Sequence, residues 1–266
     1  MKHLFASEFY RLRKNKSILV TFIIAIILAI ILPIFVTIGV AFLEHSLNID
    51  NLGVYGLDQF FSLLGSSNLI VILLIVNIAS FSCNDFSYGT IRNKIISGHN
   101  RTQVYLVKLI VNLVSSLVIY IVYTLVSLIL TSILLGFNAN NTVSIVDIKD
   151  ILVALLVYIF IHISTYTLLT MCSMNHQTSK KSVIWFLVVT YGYSFILEIL
   201  IMVCDELGIY APINLLTDLN PLNQLTYISF NELHTDLVLL IIVSNIIYSL
   251  GFTLIGIKSF KTKELK

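Results

Sequence analysis

Enzymatic chemistry needs a nucleophile, a base or a metal-ligand set at fixed spacing, and this sequence offers little of it. No GxxxxGK[ST] stretch is present, so the chain has no phosphate loop with which to hold ATP. HExxH and GxSxG are absent too, which removes the grounds for a zinc protease or an elbow-type serine hydrolase. Cys83, Cys172 and Cys204 form no CxxC pair and supply neither a disulfide framework nor a tetrahedral zinc site. No catalytic residue, metal or cofactor is therefore assigned to the chain. Two titratable groups stand deep in apolar runs, His162 and Glu198. An acidic group in the centre of a membrane helix costs about 2.5 to 3.5 kcal/mol on insertion scales. Glu198 thus reads either as part of a substrate path or outer gate, or as a structural hydrogen bond. His162, with Asn77, Asn112 and Asn245, fits interhelical hydrogen bonding. The remaining polar chemistry is concentrated in the first sixteen residues and in the stretch from Asp85 to Gln103.

The elements that must position these groups follow from composition. The 266 residues are 58% hydrophobic and 11% charged, with a mean hydropathy of +0.96. Soluble domains carry about 25% charged residues, and disorder requires low hydrophobicity, so both are excluded. A bilayer core of about 30 Å needs roughly 20 apolar residues in a helix. Six runs qualify, and the sequence predicts spanning helices over 18–43, 60–83, 102–136, 151–175, 182–204 and 237–257. Backbone groups in lipid must be satisfied within their own segment, so the fold class is an all-α polytopic membrane protein in a single transmembrane domain. The first apolar run is too long for a signal peptide and is followed by no cleavage site, so it reads as a retained helix. Pro33 near its middle predicts a kink or an unpaired carbonyl.

Fifteen of the sixteen Lys and Arg residues fall on one side of this topology, leaving Lys149 alone on the other. By the positive-inside rule both termini are expected in the cytoplasm of a cell membrane. The opposite loops are acidic. Residues 1–16 place Leu4, Phe5, Phe9 and Leu12 on one helical face and Glu8, Arg11 and Lys14 on another. This spacing fits a helix lying in the headgroup plane or a frayed cationic tail.

In the loop after the second span, Tyr88, Ile91 and Ile95 recur at helical spacing with Arg92 and Lys94 turned away. Gly98 stops this helix, and Asn100 with Gln103 forms a capping box for the third span. Such a segment suits docking onto another protein or adhesion to anionic lipid. The outer segment 205–236 has no Lys or Arg. Leu215, Leu219 and Leu222 predict short helices there, with Pro221 as a breaker, either re-entrant or interfacial or forming a simple external cap.

These features together resemble the permease subunit of a type-2 class ABC exporter. The resemblance rests on the basic first helix from Phe5 to Lys16, the six spans, and Asp85-x-x-x-Gly89-Thr90 followed by Arg92, Lys94, Arg101 and Lys108. Many members have Glu where this chain has Asp85, and Pro near Gly98-His99-Asn100. The resemblance implies that 1–16 is a connecting helix and that 85–100 is a coupling helix resting on a separate ATPase subunit, which carries the ATP and Mg. Asp85, Tyr88, Gly89, Thr90, Ile91, Arg92, Lys94, Ile95 and Arg101 would form that contact region. Six spans make half a pathway, so a second permease copy or paralogue is implied, within membrane lipid and without nucleic acid. Small permeases of this kind are similar to bacitracin-resistance, lantibiotic-immunity and toxin-peptide exporters, which implies an amphipathic or antimicrobial peptide as cargo. Ion or lipid export, a secondary transporter and a membrane receptor are the alternatives. The AT-rich flavour of the composition points to a bacterial source.

Overall fold

The computed structural model describes residues 2–47, 54–65, 69–138, 143–208 and 211–263. Eleven helices are found among them. A short α1 (Lys2–Lys14) leads into the first spanning helix α2 (Lys16–Leu47). The second span consists of α3 (Gly56–Gly65) and α4 (Leu69–Ser87), and α5 (Thr90–Ile96) follows it. Spans three to five are α6 (Arg101–Leu135), α7 (Ile145–His176) and α8 (Ser179–Glu206). Two short helices, α9 (Ala211–Leu219) and α10 (Pro221–Ser229), precede the sixth span, α11 (Thr235–Thr262). The protein is an all-α, six-span membrane protein. One end of the bundle gathers α1, α5 and the basic helix termini, with Glu8 and Asp85 buried among them; the other carries Asp58, Asp147, Asp150, Asp205, Glu206 and Asp236 at or near helix ends. Lys266, one of the fifteen cations assigned to one side, lies outside the described residues, as does Asp50 in the first acidic loop.

Helix α6 is the pillar. Lys108, Asn112, Ser116, Tyr120, Thr124, Ser127 and Thr131 lie three or four residues apart along it, and all are buried. That spacing places them on one face, where each of several finds a partner on a different helix. Asn112 donates to Ser82 at 2.9 Å and Thr170 at 3.1 Å. Ser116 meets His162 Nε2 at 2.8 Å. Tyr120 donates to the Leu63 carbonyl in the last turn of α3 at 2.6 Å. Polar side chains in a lipid-facing bundle thus act as register pins.

The Pro33 position illustrates the same economy. Proline lacks the N–H that would bond the carbonyl four residues back, which is that of Ala29. Ser127 of α6 donates to the Ala29 oxygen instead, at 3.3 Å. Thr21, Ala25, Ala29 and Pro33 form the buried seam of α2 that allows this approach. Ser127→Ala is therefore expected to cost about 1 kcal/mol, measured by denaturant unfolding in detergent. In a Pro33→Ala background the same change should cost markedly less, because an alanine at this position restores the backbone donor. An equal cost in both backgrounds would refute this assignment.

Between α8 and α11 the chain turns back along the bundle. Asn220 joins α9 to α10 and accepts from Ser194 at 2.9 Å. Ser194 lies twelve residues from the end of α8, about 18 Å deep at 1.5 Å per residue. Gln224 accepts from Asn245 at 2.8 Å and donates to Ser244 at 3.2 Å, and Ser164 donates to Asn245. Helices α9 and α10 are thus folded back along α8 and α11 and not laid across the helix ends as a simple cap. The break expected at Pro221 falls there: α9 ends at Leu219, and Pro221 opens α10 at a first-turn position where a missing N–H costs nothing. The side chain of Leu222 is outside the described residues.

Candidate functional site

Five charged side chains meet at the basic end: Glu8 and Arg11 of α1, Asp85 of α4, Lys94 of α5 and Lys108 of α6. Asp85 is 1% exposed and Glu8 2%. Lys108 Nζ lies 2.9 Å from Asp85 Oδ2 and 3.5 Å from Glu8 Oε2. Lys94 is paired with Glu8 and lies 3.4 Å from Asp85 Oδ2. Arg11 is paired with Asp85 and sits 3.1 Å from Glu8 Oε1. Three cations thus surround two carboxylates. Phe81 takes part of the excess positive charge, since Lys108 Nζ stands 3.5 Å above its ring centroid and donates to its carbonyl at 3.2 Å. The negative end of the α4 dipole acts in the same sense. Burial by itself would lower the Arg11 pKa, but the hydrogen bond and charge of Asp85, aided by Glu8, overcome it and raise the pKa above its ordinary value.

The local sequence explains how Asp85 and Lys94 come to face each other. Helix α4 ends two residues after Asp85, and Gly89 adopts φ 64°, the left-handed conformation that glycine enters without cost. This reverses the chain, and Thr90 returns its hydroxyl to the Asp85 carbonyl at 3.1 Å. Asp85, Gly89 and Thr90 therefore serve one turn: charge centre, reversal and cap. Helix occupies only Thr90–Ile96 of the predicted 85–100 segment, because α4 runs on to Ser87 and Gly98, at φ 92°, ends α5. Ile91 is buried and Ile95 packs behind it. Tyr88 and Ile96, each 73% exposed, form an outward stripe with exposed Arg92.

Several expectations need correction. Lys94 is not turned away from the bundle but points into it, drawn by two buried carboxylates. Tyr88 does not share the buried face of Ile91 and Ile95, since the Gly89 reversal separates it from α5. On α1, Glu8 and Arg11 belong to the packed face with Leu4 and Leu12, and Phe9 faces outward. Asn100 is the N-cap residue of α6 but its side chain makes no capping bond. A true capping box occurs instead at Ser144 and Asp147 of α7.

Arg101 lies apart from the ion network. Its guanidinium donates to the carbonyls of Phe260 at 3.1 Å, Lys261 at 3.0 Å and Lys263 at 2.5 Å, closing the end of α11. Lys263 in turn donates to Met174 and Asn175 carbonyls at the end of α7. Cations at helix C-termini satisfy orphan carbonyls and oppose the dipole. Glu198 is far from this end. It lies on the exposed face of α8, eight residues before Glu206, while His162 is buried between α6 and α7. The two are not brought together.

A match to the ABC-2 family transporter protein domain spans residues 4–179, about two thirds of the chain, and includes every member of the ion network. The chain belongs to the ABC-2 transporter family. It is accordingly a membrane-spanning ABC permease subunit, a class that works with ATPase subunits. No curated protein and no solved structure matches this ABC-2 permease.

Glu8 and Arg11 escaped the sequence reading as site residues, because helical spacing alone assigned them to a solvated face. The available signal was Glu8 itself, the one acidic residue in a segment of five cations. Away from the network, an apolar cavity of about 250 Å³ lies between α7, α8 and α11, bordered by Leu168, Val189 and Phe252. Tyr193 and Tyr248 bridge α8 and α11 at 3.0 Å between hydroxyls, and Tyr248 donates to the Leu219 carbonyl of α9 at 3.2 Å.

Proposed function

We propose that this permease forms half of the pathway of an ATP-driven exporter and that α5 is the coupling helix, docking on a separate ATPase subunit. Tyr88, Arg92 and Ile96 meet the ATPase, while Asp85, Gly89, Thr90, Ile91, Lys94 and Ile95 hold the contact in place from behind. ATP and Mg reside on that partner. Both termini and α5 face the cytoplasm of a bacterial cell membrane, and a second permease copy or a paralogue completes the pathway. The observation that carries this reading is the division of α5 and its flanks into an outward stripe and an inward face anchored by buried ion pairs. A helix held only by lipid needs no such anchor.

The cargo proposed is an amphipathic or cationic peptide, including antimicrobial peptides. The acidic outer end, the exposed carboxylate of Glu198 within α8 and the apolar cavity beside α8 all favour such a molecule over an anion. ATP-driven closure of the ATPase pair displaces α5 and shifts a helix bundle with two arrangements. The test is co-purification with a separate phosphate-loop ATPase subunit co-expressed with this chain. Arg92→Glu is expected to reduce ATPase capture at least tenfold at unchanged permease yield, since a like change on an exposed residue leaves the fold intact. Undiminished capture would overturn the docking assignment. ATP hydrolysis by the reconstituted complex should rise with cationic amphipathic peptides.

A further inference from the structure

The first helix and α5 are remote in sequence, yet the ion network joins them directly: Lys94 of α5 is paired with Glu8 of α1, across 86 residues. Glu8 is buried, and its two oxygens are divided among three cations from three helices, with Arg11 and Lys94 on Oε1 and Lys108 on Oε2. Lys94 is the one member of the network that α5 contributes, and both its carboxylate partners lie behind α5, away from the outward stripe. Helix α1 runs straight into α2, separated only by Asn15, whose side chain accepts from the Ser17 backbone N–H at 2.9 Å. A displacement of α5 therefore has a short route to the first spanning helix: Lys94, Glu8, α1, Asn15, α2.

We infer that Glu8 is a positioning residue that clamps α1 to α5, so that the two helices move as one body and carry motion from the docking surface into α2. The inference rests on the docking reading above and adds a route to it. Two features of the geometry support it. Beside Arg11 of its own helix, the carboxylate holds two cations of other elements, Lys94 of α5 and Lys108 of α6, so a rotamer change of one lysine does not release α1. The buried pair is also directional, since charges with few alternative partners fix one arrangement of the helices they join.

A covalent link can stand in for the ionic one, and this gives the test. Glu8→Cys with Lys94→Cys, in a chain otherwise free of cysteine, is assembled with its ATPase subunit in liposomes, and ATP hydrolysis is compared with that of the free ATPase subunit. Unlinked, the double variant is expected to capture the ATPase normally but to lose at least fivefold of the permease-dependent change in hydrolysis. Bridging the two thiols with a short bis-maleimide should restore at least half of that change, which a merely destabilised fold would not do. Glu8→Gln, nearly isosteric, should show the same loss with normal capture if the double variant folds poorly. Unaltered hydrolysis in Glu8→Gln, or no recovery on bridging, would overturn the clamp while leaving docking intact. Loss of capture in Arg92→Glu but not in the Glu8 variants separates the two ideas.

Discussion

Asp85→Asn is expected to destabilise the purified permease by about 3–5 kcal/mol, the usual consequence of removing one partner from a buried ion pair. The change is nearly isosteric, so packing is preserved and the effect is electrostatic. Asp85 serves Arg11, Lys94 and Lys108 at once. Its neutral replacement leaves three cations with the single carboxylate of Glu8. Unfolding in detergent, followed by helical signal against denaturant, measures the loss. Arg92→Gln on the exposed side of α5 is the control and should stay within about 0.5 kcal/mol of the native chain. Combining Asp85→Asn with Lys108→Met should recover part of the loss, because the cost comes from an uncompensated buried charge and not from the missing pair. If Asp85→Asn unfolds with the native chain, the network has no structural weight.

The six spans were legible because the lipid-facing constraint acts residue by residue: a run of about 20 apolar residues has few other ways to satisfy its backbone. Polar contacts across the bundle were not. Lys94 and Arg92 look alike in a helical projection, and only the position of Asp85 behind the Gly89 turn separates the buried lysine from the exposed arginine. Glu8 was assigned to a solvated face because amphipathic spacing assumes that charge seeks water. Here the charge seeks three cations supplied by helices up to 100 residues away. Arg101 was grouped with the docking segment by its place in the motif, whereas its guanidinium closes the end of α11, a partner no local pattern announces. Ser127 and Pro33 fall between these cases. The vacancy at Ala29 follows from proline chemistry, but the serine that fills it lies 98 residues on.

Gly65→Val is expected to destabilise the chain by about 3 kcal/mol, at the upper end of overpacking costs, while Gly39→Val leaves stability almost unchanged. A Cβ at Gly65 would overlap the Leu225 carbonyl and Ser229 of α10, whereas one at Gly39 meets open space. Backbone atoms cannot rotate aside as a flexible side chain can, so α3 and α10 must separate. Which of them moves can be argued from their other attachments. Helix α10 is tied to α11 and α7 by the chain of Gln224, Asn245 and Ser164, and its neighbour α9 receives the Tyr248 hydroxyl at Leu219. The last turn of α3 is joined to α6 through the Leu63 carbonyl and the Tyr120 hydroxyl, at the same end that a Cβ on Gly65 would push away from α10. Hydrogen exchange should therefore quicken in the last turn of α3 in Gly65→Val, with α10 still protected. Faster exchange in α10 with α3 unchanged would show that the α9 and α10 pair is held by α3 and not by the amide chain to α11.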